Sequence, residues 1–79
     1  MALMEKFMPE EPLYVSARFR NIVEATIHEL ERDAAADEQM LGALTSPDHR
    51  RRQQRLVRAQ LDRAFSLREM LALSVLRAA

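Results

Sequence analysis

The sequence predicts an all-α protein, an antiparallel two-helix hairpin with a short N-terminal arm, and three observations carry that prediction. Apolar residues recur at i, i+3 and i+4 along two long stretches. The single glycine and the three prolines interrupt neither stretch. No run of alternating β-branched and aromatic residues marks a strand. A chain of 79 residues makes one domain, divided into an arm over residues 1–12 and a hairpin over 13–79.

In the arm, Leu3, Met4, Phe7 and Met8 stand at i, i+4 spacings ahead of Pro9 and Pro12. One or two turns do not offset helix nucleation, so this segment would become helical only on a surface. The first long helix is expected over about 13–38. Val15, Phe19, Ile22, Val23, Thr26, Ile27, Leu30 and Ala34 fall on one stripe, with Arg18, Arg20, Glu24, Glu29 and Arg32 around it. Residues 39–46 read as a connection, in which Gly42 suits a left-handed turn after the helix. Ser46-Pro47-Asp48 then supplies a serine cap, a proline at the first helical position and an acid in the first turn. The second helix is expected over 47–77, with Val57, Leu61, Ala64, Phe65, Leu67, Leu71, Ala72 and Val75 as its main stripe. A short connection makes the two helices antiparallel neighbours.

Charge fits that arrangement. Residues 24–38 hold six acids and residues 50–63 hold six arginines, and an antiparallel hairpin lays the two blocks side by side. The arginines also crowd the positive end of their own helix, where facing acids would relieve them. Each exposed pair contributes only about 0–1 kcal/mol, so the blocks select the arrangement more than they stabilise it.

Composition narrows the function. There is no cysteine, which removes disulfides and thiolate metal sites, and two histidines alone predict no zinc site. Twelve basic residues offset twelve acidic ones, so the chain as a whole makes no electrostatic case for nucleic acid or membrane. No run approaches the ~18–20 apolar residues of a membrane span. The first nine residues lack a basic segment followed by an apolar one, so no signal peptide is expected. Eleven of the twelve cations are arginine, which reads as a GC-rich bacterial genome; the expected location is a bacterial cytoplasm.

Catalysis finds no support. His28 lies one turn from Glu24 and Glu31, a spacing that a surface ion pair explains, and no nucleophile–base pair, phosphate loop or metal cluster appears. No cofactor is expected, and the chain is not read as an enzyme. What remains is binding to another protein. A domain this small buries only about 60% of the surface its unfolded chain exposes, so a partner chain is the simplest supplement to its core. In the second helix Met70 and Leu73 fall almost opposite the main stripe and Leu76 at its edge. Phe65, Leu67, Met70, Leu73 and Leu76 are therefore the expected partner-binding residues. Arg68 sits at the centre of the stripe. Its stem would pack while the guanidinium reaches solvent, or it would pair with a facing carboxylate such as Asp33, or with a partner's acid, and set register. Antiparallel geometry is expected to bring Arg68 nearer Phe19 than Asp33.

One resemblance adds to this. Leu44-Thr45-Ser46-Pro47-Asp48, then Gln53-Gln54, then Leu56, Ala59, Leu61, Ala64 and Leu67 at helical spacing resemble the small helical-hairpin E components of bacterial type III secretion systems. The resemblance covers residues 13–76. It implies a cytosolic co-chaperone that pairs with a helical-repeat chaperone and helps hold the needle subunit unpolymerised, a role in protein transport and virulence. The arginines depart from that pattern, whose relatives carry more uncharged residues there, and the methionine-rich arm has no counterpart in it. The alternative reading is a homodimeric four-helix bundle that binds nucleic acid through Arg50, Arg51, Arg52 and Arg55. No interleaved aromatics accompany those arginines, and the acidic block beside them would neutralise much of their field.

Overall fold

The computed structural model describes residues 13–76; the arm expected over residues 1–12 lies outside them. The elements are β1 (Leu13–Val15), α1 (Ala17–Met40), a 3₁₀ turn (Leu41–Ala43), α2 (Pro47–Ala72) and β2 (Ser74–Leu76). The two long helices pack against each other as the predicted all-α hairpin.

Helix α1 begins four residues later than the sequence reading placed it. Ser16 holds an extended backbone, its Oγ accepts the Phe19 N–H at 3.1 Å, and its carbonyl accepts the Arg20 N–H at 2.9 Å. That is a serine cap at an orphan helix end. It leaves Leu13-Tyr14-Val15 outside the helix, and Tyr14 and Val15 suit a pleated backbone. Helix α2 ends at Ala72, short of the expected 77. The Ser74 hydroxyl donates to the Leu71 carbonyl at 2.7 Å, which satisfies a last-turn acceptor without another turn of helix. The freed segments meet. β1 and β2 run parallel, with Leu13 opposite Ser74, Tyr14 opposite Val75 and Val15 opposite Leu76. This two-stranded pair corrects the expectation that no strand forms, and it encloses the buried Val15.

The connection also differs. Ser46 and Pro47 open α2 where the sequence puts them, but the Ser46 hydroxyl makes no cap bond. Its carbonyl accepts the Arg50 N–H at 3.0 Å instead. Gly42 does not take the expected left-handed conformation. The chain leaves α1 by tightening into the 3₁₀ turn, closed by the Leu44 N–H on the Leu41 carbonyl at 3.3 Å, and that geometry needs no positive φ.

The seam between the helices follows a different period from the predicted stripes. In α1 and the turn after it, Arg20, Val23, Ile27, Leu30, Ala34, Asp37 and Leu41 are withdrawn from solvent; after them come Gln53, Val57, Gln60, Ala64, Leu67, Leu71 and Ser74 in α2 and β2. Both series alternate steps of three and four, the a/d spacing of a coiled-coil seam. Thr26, Glu31 and Met70 are half-buried beside it. Val23, Ile27, Ala64 and Leu71 form the core cluster, with Leu30, Leu67 and Met70 packed on it. The alanines Ala34 and Ala64, 1% and 2% exposed, let the helices approach closely. Six residues of the predicted stripes, Phe19, Ile22, Leu61, Phe65, Ala72 and Val75, are exposed instead.

The seam turns polar toward the connection. Gln53 Nε2 donates to the Asp37 carbonyl oxygen at 2.9 Å, and Gln60 Nε2 donates to Asp37 Oδ2 at 3.1 Å. Gln60 Oε1 is shielded from solvent without a partner. These contacts cost apolar burial but fix which residues face one another, as polar a/d positions do in coiled coils.

Gly42 yields a direct prediction. A Cβ added there meets nothing within 4 Å and its φ is not positive. Gly42→Ala should therefore be neutral or stabilising by about 0.4–1 kcal/mol through loss of unfolded-state entropy. Urea titration followed by circular dichroism checks this; a lower midpoint would show that the glycine is required.

Candidate protein-binding surface

The helices present two flanks, one on each side of the seam. On one side Leu13, Tyr14, Val15, Phe19 and Met70 line a concavity of about 330 Å³ beside β1. On the other, Glu38, Leu41, Gln54, Val57, Arg58 and Leu61 border a second hollow near the connection. Arg20, Glu24, His28, Arg68 and Ala72 border a third on that same side over Ile27 and Leu71.

The five expected partner-binding residues do not form one strip. Leu67 and Met70 pack on the core cluster, because both adjoin the observed seam. Phe65, Leu73 and Leu76 are exposed, at 62%, 77% and 51%. By helical spacing Phe65 follows Leu61 on the flank opposite Met70. Leu76 belongs to β2, beside Val15. The sequence reading missed Leu13, Tyr14, Ile22, Met40 and Leu56 as exposed apolar residues. For Ile22, Met40 and Leu56 the signal was present: each lies beside a heptad position, which becomes visible once Gln53, Gln60 and Asp37 are allowed into the seam.

Arg68 is paired within the chain. Its Nη2 donates to Glu31 Oε1 at 2.7 Å and its Nε to Glu31 Oε2 at 3.3 Å, a two-pronged contact across the helices. Of the two expectations for Arg68 this is the ion pair with a facing carboxylate, made by Glu31 in place of Asp33 or a partner's acid, and it corrects the expected neighbourhood of Phe19. The physical reason is the seam, which runs along Ala64, Leu67 and Leu71, so Arg68 stands at its edge and reaches across to α1.

The expected pairing of the arginine and acid blocks is not made. Among the described residues the ion pairs are Arg20–Glu24, Arg51–Asp48 and Arg68–Glu31. None joins the arginines of residues 50–63 to α1, and the Arg51 contact, at 4.0 Å, lies within α2. Seam positions in that stretch belong to Gln53, Val57 and Gln60, so the arginines point outward. Arg51, Arg55 and Arg58 share one face with Gln54; Arg50 and Arg52 stand off it.

Among the described residues no three His, Cys, Asp or Glu side chains are placed to hold a metal ion. No helix there is long and apolar enough to cross a membrane.

The Glu31–Arg68 contact carries a pH signature. Hydrogen bonds from Arg68 hold the Glu31 carboxyl below its ordinary value, against a smaller opposing effect of desolvation; the Arg68 and His28 charges lower it further. The same bond raises Arg68 above its already high value. A carboxyl depressed on folding stabilises the fold above its unfolded value, and loses that contribution as pH falls through the folded value. Wild type should therefore lose more thermal stability between pH 7 and pH 3 than Glu31→Gln does. Equal losses in melts of the two proteins would show that the pair contributes nothing.

Compared with family models, with curated proteins and with solved structures, the chain shows no significant match to any.

Proposed function

We propose that this chain is a protein-binding hairpin that completes its core on a different polypeptide. The observation that supports the reading is the imbalance of its apolar surface. Among the described residues seven apolar ones are buried, while eleven large ones stay exposed, from Leu13 and Tyr14 to Phe65, Leu73 and Leu76. Single exposed apolar residues are ordinary, but grouped ones on a two-helix hairpin mark an interaction surface.

The resemblance to the E components of type III secretion systems makes the reading specific. On that reading the chain is a cytoplasmic bacterial co-chaperone. Its partners are a helical-repeat chaperone and the needle subunit, and the exposed Phe65, Leu73 and Leu76 contribute to docking. The test is affinity purification of the tagged chain from its native cells, followed by mass spectrometry. A repeat-type chaperone and a needle subunit should be recovered, and Phe65→Asp with Leu76→Asp should reduce recovery at least tenfold. Recovery that is unchanged by the substitutions would remove these residues from the surface. Absence of any secretion component would remove the co-chaperone reading.

One observation favours a second reading. The arginines at the start of α2 are not neutralised by ion pairs to α1, so Arg51, Arg55 and Arg58 offer a cationic face to phosphates. If that face binds nucleic acid, a gel shift at low ionic strength should show a complex that weakens steeply with salt, and Arg55→Gln with Arg58→Gln should flatten the salt slope by about two. No shift at low salt would eliminate it.

A further inference from the structure

We propose that the flank carrying Ile22, Met40, Leu56 and Leu73 binds a second copy of this chain, closing a two-fold four-helix bundle. The observation is a second pair of heptad series beside the seam. In α1, Phe19, Ile22, Thr26, Glu29, Asp33, Ala36 and Met40 repeat steps of three and four. In α2, Leu56, Ala59, Arg63, Ser66, Met70 and Leu73 do the same. Phe19 and Met70 line one concavity, which places both series on one flank. Phe19, Ile22, Met40, Leu56 and Leu73 are all exposed there.

Register supplies the argument for the occupant. The Asp37–Gln60 and Glu31–Arg68 contacts fix the heights of the two helices. Asp33 is then level with Arg63, Met40 with Leu56, Ala36 with Ala59, and Ile22 with Leu73. A two-fold axis parallel to the helices lays α1 of one copy antiparallel on α2 of the other at those same heights. Four layers then meet their complement: apolar on apolar at both ends, alanine on alanine at Ala36 and Ala59, and Asp33 on Arg63 in the middle; Thr26 is level with Met70 and Glu29 with Ser66. That central layer alternates two carboxylates with two guanidiniums around the bundle, and neither group has an ion pair among the described residues of one chain. A foreign partner has no reason to repeat this spacing; a second copy carries it by symmetry.

The size is sufficient. A face about 36 Å long and roughly 20 Å wide covers about 700 Å² per copy, close to the ~800 Å² per partner of a standard stable interface. Phe65 and Leu61 lie on the opposite flank, which a dimer of this kind leaves open. The two readings share Leu73, and Phe65 is the docking residue that the dimer leaves open.

The test is light scattering behind a sizing column on the full chain over a concentration series, with circular dichroism as the control for folding. The expected mass is twice the 9.1 kDa of one chain. Ile22→Glu with Leu56→Glu, at exposed positions, should give a helical monomer, whereas Phe65→Asp, on the opposite flank, should leave the dimer intact. Asp33→Arg alone puts four cations in one layer and should also give monomer; Asp33→Arg combined with Arg63→Asp should restore the dimer. A wild type that stays monomeric at every concentration overturns the proposal, and so does a dimer unaffected by Ile22→Glu with Leu56→Glu. Failure of the double charge reversal to restore what Asp33→Arg removes overturns the register.

Discussion

Everything else in this molecule depends on the seam between α1 and α2. Two helices have only one surface to share, and here it is a strip of alternating three- and four-residue steps with Val23, Ile27, Ala64 and Leu71 at its centre. The small side chains of Ala34 and Ala64 let the backbones approach, and dispersion between closely packed groups then accumulates along the strip. Residues one step off the strip stay at the surface whatever their hydropathy, which is why Phe65 and Leu61 are exposed in a chain that has few large apolar residues to spare. The strands follow from the same geometry. Antiparallel helices bring the start of α1 and the end of α2 to one end of the hairpin, where β1 and β2 satisfy each other's backbone groups.

The seam is polarised along its length. Its open end is apolar, while its connection end is held by Gln53, Gln60 and Asp37. Replacing an apolar layer by amide hydrogen bonds gives up hydrophobic stabilisation, and a shielded Gln60 Oε1 without a partner adds to the cost. What is obtained is a single register. A seam of uniform aliphatic residues would leave register to the connection alone, whereas here the Glu31–Arg68 contact across the helices adds to it. A small core that spends part of itself on register is stabilised further by any chain that covers its flanks. This is the physical ground for reading the protein as a binding component.

The charges act outward for the same reason. With seam positions occupied by glutamines and aliphatic residues, the arginines of residues 50–63 have no route to the acids of α1, and they lie near the positive end of their own helix. Asp48 in the first turn offsets this locally. The chain is thus neutral in sum but divided in space, an arrangement that steers partners and sets orientation more than it adds affinity.

The amino-acid sequence by itself determined the class of fold, the two helices, the site of the connection and the start of α2 at Pro47. Those follow from local causes: apolar periodicity, the placement of glycine and proline, and helix nucleation that Ser46-Pro47-Asp48 favours. Ser16 as a cap was equally legible, since a serine follows a Leu-Tyr-Val run there. Only the tertiary structure decided which face of each helix is buried. A seam that admits Asp37, Gln53 and Gln60 is invisible to a count of apolar residues, and the difference between periods of 3.5 and 3.6 rotates the stripe over the length of a helix. That rotation moved Phe65 out and Met70 in, took Arg68 to Glu31, and split the expected binding strip between two flanks. The strands too were a tertiary decision, because three residues pair only when folding brings another three beside them.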